Sequence, residues 1–296
     1  MAKVSDDVIR ARAKVIMSET PGMCFQHAIR RAIAEVEPAP EGAPTSMDGA
    51  YVTEITSAQA AAIIKRYEWL GTSGRAQFSA GLWVPVNNEP TLIGVSVFGW
   101  PGADESRDLC GHDNRHLAVA LERGVCVHWA PKNAASFFIP KAVALAAEKK
   151  GWRVFYAYSD PAAGEVGTVY QATNWLYIGA DTGRRKKDKS ERGRVMYCDP
   201  SGRAHSSKVF FAGRGLNCKD HVCQHEQPAP KGKGSIPGTG CKPGQCPDGR
   251  WTRYPVPSRA RYVWFEGTKS ERKALKRALR YEVLEYPKRP TSEKDA

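Results

Sequence analysis

VFYAYSDPAAGEVGTVYQATNWLYIG, residues 154–179, compresses a strand, a turn, a short helix and a second strand into one run. The apolar and aromatic residues of Arg153–Tyr158 predict a strand, Ser159–Gly164 a turn, Thr168–Ala172 a short helix and Leu176–Gly179 a further strand. The first strand delivers Tyr158-Ser159-Asp160-Pro161 at its C-terminal end, where α/β sheets hold ligands. Gly164 and Gly167 free the backbone ahead of the helix that carries Tyr170. A carboxylate at Asp160 can accept a hydrogen bond from an amine nucleophile, and the Tyr170 hydroxyl can donate or relay a proton. Asp-Pro and Gly also end strands for purely structural reasons, so chemistry and a plain turn both remain open from these residues alone.

Working outward, Tyr51–Ile55 is strand-like and Ser57 can cap a helix to about Arg66. Phe78–Val86 and Thr91–Phe98 predict two strands joined by a turn at Asn87-Asn88-Glu89-Pro90. His116–Trp129 contains a long β-compatible segment. Asn133 can cap a helix to Lys150 that ends at Gly151, with a kink or late start expected at Pro140. The resulting order, β-α-β-β-β-α-β-α-β, predicts an α/β (α+β) fold with a mixed sheet covered by helices.

Residues 1–50 read as a helical appendage, with helices near 4–17 and 24–35 and a Pro-rich linker at 38–50. Residues 51–180 form the core, and 181–258 a basic insertion rich in Gly, Pro, Cys and His. Residues 259–296 supply a closing strand (Arg261–Glu266), a basic helix (Ser270–Leu279) and a tail. The insertion is expected to loop out of the core, because the closing strand returns to the sheet.

The chain has 296 residues, 42% hydrophobic and 25% charged, which excludes wholesale disorder. No run approaches the roughly 18 apolar residues of a membrane span, and the acidic start lacks the apolar core of a signal peptide. A cytoplasmic protein is therefore expected, with its eight cysteines as thiols or metal ligands rather than disulfides. Charge is strongly asymmetric: 17 basic against 18 acidic residues through residue 180, and 27 against 13 after it. A near-neutral body with a basic C-terminal part suits a phosphate-binding surface on a folded core. Its densest part is Arg184–Arg194, with Arg184, Arg185, Lys186, Lys187, Arg192 and Arg194 as candidate contacts, although a solvated tail has the same composition.

Three further groups could carry chemistry. In Leu121–Ser136, LERGVCVHWAPKNAAS, Arg123 lies in a strand, His128 and Trp129 follow it, and Lys132, Asn133 and Ser136 stand at a helix start, an anion site suited to a pyrophosphate. A helix cap and a satisfied imidazole explain the same residues. Tyr67-Glu68-Trp69 follows the first core helix, where aromatics can wall a flat ligand or simply pack. Cys218, Cys223, His225, Cys241 and Cys246 cluster in a core-poor segment, a pattern compatible with structural zinc or with scattered thiols. Cys110, His112 and His116 make a looser group.

Taken in order, YEWLGT, LIGVSVFG, LERGVCVHWAPKNAAS, YSDPAAGEVGTVYQATNWLYIG and RYVWFEG resemble phage Mom-like DNA-modification proteins, distant relatives of the GCN5-related N-acetyltransferases. The resemblance covers about residues 51–180 and 259–290 and is strongest in the YSDP…GTVYQATNW run. It implies an acetyltransferase-like, mostly antiparallel central sheet. The implied activity is transfer of a carbamoylmethyl group to adenine N6 in duplex DNA, which shields phage DNA from restriction in the host cytoplasm. Arg123, Ser136, Asp160 and Tyr170 are the implied catalytic positions, with Arg123, Lys132, Asn133 and Ser136 steadying an acyl donor. Tyr67, Glu68, Trp69, His128, Trp129 and Ser159 would face the base. Kinship of fold points to a coenzyme A thioester as donor. Two departures stand out: Tyr67 occupies a position where related phage sequences often have His, and PKNAAS lacks the glycine-rich pyrophosphate signature of ordinary acetyltransferases.

Two other functions fit the sequence. An N-acetyltransferase acting on a protein or small amine would leave DNA unmodified. A non-enzymatic, zinc-containing nucleic-acid binder would be insensitive to substitution of Asp160 or Tyr170.

Overall fold

The computed structural model describes residues 4–20, 25–68, 70–100, 107–161, 165–181, 194–198, 204–206 and 252–288. Helices α1 (Asp6–Glu19) and α2 (Phe25–Val36) pair through their own apolar cluster, centred on Ile9, Ala13, Ile16, Ala28, Ala32 and Ile33. Strand β1 (Tyr51–Glu54) leads into α3 (Ser57–Tyr67). Thr56, not Ser57, is the N-cap, closing a reciprocal capping box with Gln59.

Strands β2 (Ala76–Val86) and β3 (Glu89–Gly99) form a hairpin. Asn87 and Asn88 have φ of 51° and 65°, the conformation a two-residue hairpin loop needs and one that asparagine tolerates. The turn is therefore two residues rather than the four expected, and Glu89 and Pro90 already belong to β3. A short 3₁₀ segment (His112–Leu117) precedes β4 (Ala118–Cys126).

β4 is parallel to β5 (Val154–Ser159), and a parallel pair requires a crossover, here α4 (Ala134–Lys150). α4 starts at Ala134 and continues through Pro140, so no late start occurs. Pro140 has no N–H to offer the Ser136 carbonyl one turn back, and the helix continues past that lost bond. Gly151 ends it with φ 73°. Phe138, Ala142 and Ala146 of α4 pack on Leu82, Val84, Phe98 and Phe155 in the main core. Ala60 and Ile64 of α3 build a separate cluster with Val95, Val97 and Val125.

The short α5 (Thr168–Ala172) and β6 (Leu176–Asp181) follow. β7 (Arg194–Cys198), β8 (Ala204–Ser206) and β9 (Thr252–Val256) form a small antiparallel sheet of their own. β10 (Arg259–Phe265) then re-enters the main sheet, whose order is β1-β2-β3-β4-β5-β10-β6. Within that sheet only β4 and β5 are parallel, so the fold is a mixed, mostly antiparallel α/β sheet flanked by helices. α6 (Lys269–Ala278) closes the described chain, capped by Thr268 and Glu271 in place of the expected serine start, with Leu275 buried. Among the described residues no helix is long and apolar enough to cross a membrane.

The pairing of the central strands positions the site. β4 and β5 pair only from Ala118–Val154 to Leu121–Ala157. Beyond that, β4 stays with β3 as far as Cys126, and β5 stays with β10 as far as Ser159. Each strand follows its outer neighbour, and a gap opens between them.

Candidate active site

The gap is a cleft of about 370 Å³. Its walls are Gly124 to Cys126 of β4, Ser159 at the end of β5, the first turns of α4 and the Gly167–Tyr170 segment entering α5. A Cβ at Gly124 would meet nothing within 4 Å, so glycine leaves this part of the strand open. Ser96 contributes a buried hydroxyl without a hydrogen-bond partner among the described residues.

Gly167 has φ 72°, and a Cβ there would fall 2.4 Å from the Tyr262 ring. Only glycine lets this turn press onto Tyr262, whose hydroxyl donates to the Val166 carbonyl at 2.9 Å. The turn presents Tyr170, whose ring lies 5.2 Å from Trp175 and 5.1 Å from Tyr262. Burial, reinforced by Glu165 and Tyr262, pushes the Tyr170 hydroxyl well above its ordinary value, so it stays protonated and acts as a donor.

Asp160 follows Ser159 and is buried at 6% exposure, and its carbonyl accepts the Glu165 N–H at 3.1 Å. Glu165 ion-pairs with Arg30 of α2 at 3.6 Å. Burial raises the Glu165 carboxyl, with Arg30 opposing that shift. His27, also on α2, feels the charge of Asp160, but burial dominates and lowers the imidazole below its ordinary value. Burial pushes the Cys126 thiol up to about 12, so no thiolate nucleophile forms there at neutral pH.

A second cleft of about 380 Å³ adjoins the first and shares Arg30 and Cys126 with it. Tyr67 and His128 line it, their ring centroids 6.0 Å apart. Glu37 organises this wall. The Tyr67 hydroxyl donates to its carboxylate at 3.1 Å, Arg66 donates at 2.9 Å, and His128 Nε2 lies 2.7 Å from its carbonyl. A carbonyl only accepts, so Nε2 carries a proton, and Nδ1 is buried without a partner among the described residues.

Arg123 lies outside the lining of either cleft. Its guanidinium donates to the Thr72 carbonyl at 2.6 Å, to the Thr72 hydroxyl at 3.1 Å and to the Glu122 carbonyl, and stands 4.0 Å from Glu68. Glu68 accepts the N–H groups of Leu70 and Gly71 at 2.8 and 2.9 Å. Together the pair fixes the turn after α3. At the start of α4, the Ser136 hydroxyl donates to the Asn133 carbonyl at 3.0 Å, the Asn133 side chain makes no capping bond, and Lys132 is exposed. Trp129 packs partly buried against the main core.

The cleft thus brings Ser159 and Tyr170 together, with Tyr67 and His128 in the adjoining space; Asp160, next to Ser159 in the chain, lines neither cleft. Trp69, Arg184, Arg185, Lys186, Lys187, Arg192, Cys218, Cys223, His225, Cys241 and Cys246 lie outside the described residues, and only the backbone of Arg194 is described. Among the described residues, Cys110, His112 and His116 included, no group of His, Cys, Asp or Glu could hold a metal ion. His27, Arg30, Ser96 and Glu165 are site residues that the sequence reasoning did not single out. A signal existed for the first two: with Arg31 they stand at i, i+3 and i+4 on one face of an amphipathic helix.

Ser159 and a protonated Tyr170 at the opening of a split sheet make this cleft the candidate active site. The model of the Mom protein family matches residues 49–288, and the chain belongs to that family. Among solved structures, a protein assigned as a phosphinothricin N-acetyltransferase is similar at 11% identity and a TM-score of 0.31, covering 48% of this chain and 91% of its own. YncA of Salmonella typhimurium, an assigned acetyltransferase solved with its cofactor acetyl-CoA, is similar at 12% identity and a TM-score of 0.31, covering 48% and 88%. No curated protein matches the chain.

Proposed function

We propose that the protein transfers a carbamoylmethyl group to the exocyclic N6 of adenine in double-stranded DNA, protecting phage DNA from restriction. The observation that carries this reading is the membership of the Mom family over a stretch that includes the whole split-strand gap between β4 and β5. Adenine N6 is a weak nucleophile, because its lone pair is delocalised into the ring. The base must leave the helix, and a proton must be removed as the new bond forms. Asp160 holds N6 and takes that proton, while Tyr170, kept protonated by burial, donates a hydrogen bond to the departing group, on which negative charge develops as its bond to the carbamoylmethyl carbon breaks. Tyr67 and His128, their rings inclined at 42°, provide aromatic faces against which the extruded base can stack. Arg123 and Glu68 act indirectly, by fixing the turn that follows Tyr67.

A coenzyme A conjugate is the donor class that suits the first cleft. Forming the N6–CH2 bond would require breaking the bond between the carbamoylmethyl carbon and its leaving group, whereas attack on a thioester carbonyl would give an N6-acyl adduct instead. Gly124 leaves room along β4, and Ser96 offers an unpaired hydroxyl. The positive end of α4, with Lys132 and Ser136, would hold the pyrophosphate.

Expression in a bacterial host, digestion of total DNA and mass spectrometry of the nucleosides test the assignment. The wild type is expected to yield a carbamoylmethyl-deoxyadenosine species. Asp160→Asn and Tyr170→Phe should each lower it by roughly 10²–10⁴-fold in folded protein. Wild-type adduct levels in folded Asp160→Asn would overturn the role of the carboxylate.

A further inference from the structure

The family match begins at residue 49, so α1 and α2 lie outside it. They are nonetheless built into the site. Glu37, just past α2, binds Tyr67, Arg66 and His128 of the core, and Arg66 also reaches Asp6 at the start of α1 at 3.7 Å. Tyr67 packs against the apolar cluster of the helical pair. α2 is thereby held over the open end of β4, with His27, Arg30 and Arg31 lining the second cleft.

The chemistry of that cleft is one-sided. Two guanidinium groups and two imidazoles line it beside the Tyr67 ring, and no carboxylate among the described residues does. Arg31 is bonded to Glu35 at 2.8 Å. Arg30 makes a longer contact with Glu165, between two side chains that are 49% and 40% exposed, the class of ion pair that contributes least. A phosphate ester offers a guanidinium a closer, bidentate partner and would displace Glu165. The volume, about 380 Å³, is within the range of small-ligand sites.

We propose that α2 is a working part of the enzyme: Arg30, flanked by His27 and Arg31, binds a phosphate ester of a nucleotide held against Tyr67 and His128, next to the transfer cleft. The proposal rests on the nucleotide-modifying reading above and adds to it the phosphate contact, supplied by a helix outside the family match. Either the DNA strand or the donor could bring that phosphate. The Tyr67 and His128 rings, 6.0 Å apart and inclined at 42°, offer aromatic faces for a base beside these cations, which favours the DNA strand.

The test uses the full-length chain with Arg30→Gln, Arg30→Lys and, as a charge-matched control, Lys14→Gln on the exposed face of α1. Binding of a short adenine-containing single strand is measured by fluorescence anisotropy and of coenzyme A by calorimetry, at one fixed salt concentration. Thermal melting confirms that each variant is folded. Arg30→Gln should weaken one of the two ligands by roughly tenfold or more, the scale of a lost charge-assisted hydrogen bond, with partial recovery in Arg30→Lys and wild-type behaviour in Lys14→Gln. The ligand that loses affinity identifies the source of the phosphate. Equal affinities in Arg30→Gln and Lys14→Gln, or no binding of either ligand by the wild type, overturn the proposal. The two readings separate cleanly. Adenine modification with an unchanged KM in Arg30→Gln sinks only the phosphate contact, while Arg30-dependent binding without any adduct sinks only the proposed reaction.

Discussion

Glu68 shows how a side chain can shape the surroundings of a cleft it does not line. Its carboxylate caps the turn after α3 through two backbone N–H groups and faces Arg123. Burial still prevails, raising the carboxyl above its ordinary value against the pull of Arg123 and of both N–H bonds. A carboxyl whose folded value is raised binds its proton more tightly in the folded state, so its contribution is complete below the ordinary value of 4.5 and is lost as pH rises through the folded value. Glu68→Gln keeps an acceptor for the Leu70 and Gly71 N–H groups and removes the titration. Melting temperatures measured from pH 4 upward should therefore show the wild type losing stability relative to Glu68→Gln across that window. A wild type that gains on the variant as pH rises would contradict the sign. Sequence could place Arg123 on a strand and Glu68 after a helix, but not reveal that they meet, since their contact spans more than fifty residues.

At the scale of elements, most of the sheet was legible because its signals are local. Alternation located the strands to within two or three residues, and the two asparagines between β2 and β3 announced the hairpin. Caps were missed by one or two positions, because Thr56 and Ser57, or Thr268 and Ser270, are chemically interchangeable until a glutamine or glutamate three residues on completes the capping box. The role of α2 was not legible: its amphipathic pattern reveals a buried face, but not that the basic face overlies β4. Gly167 is the element-scale position where shape and function meet. Gly167→Ala would force a Cβ into the Tyr262 ring at positive φ, and is expected to cost about 1–3 kcal/mol. Activity should fall beyond that cost, because Tyr170 moves with the turn. Thermal melting alongside adduct yield checks this, and an unchanged melting temperature would show that the turn relaxes freely.

For the whole molecule, the asymmetry of charge remains the strongest sequence signal for DNA. If the basic stretch 184–194 binds phosphates, the logarithm of DNA affinity should fall linearly with the logarithm of salt concentration. Replacing Arg184, Arg185, Lys186 and Lys187 with glutamine should make the slope shallower by roughly one unit for each phosphate that is no longer neutralised, while leaving coenzyme A binding intact. An unchanged slope would move the DNA-binding role to another surface.

The path of β10 has a consequence for biogenesis. β5 and β6 stand on either side of it, yet it is made some eighty residues after β6. While the ribosome works through that interval, both strands present open edges, and the Gly167 turn lacks the Tyr262 ring on which it rests. A nascent or prematurely ended chain therefore exposes the kind of unpaired edge that invites aggregation.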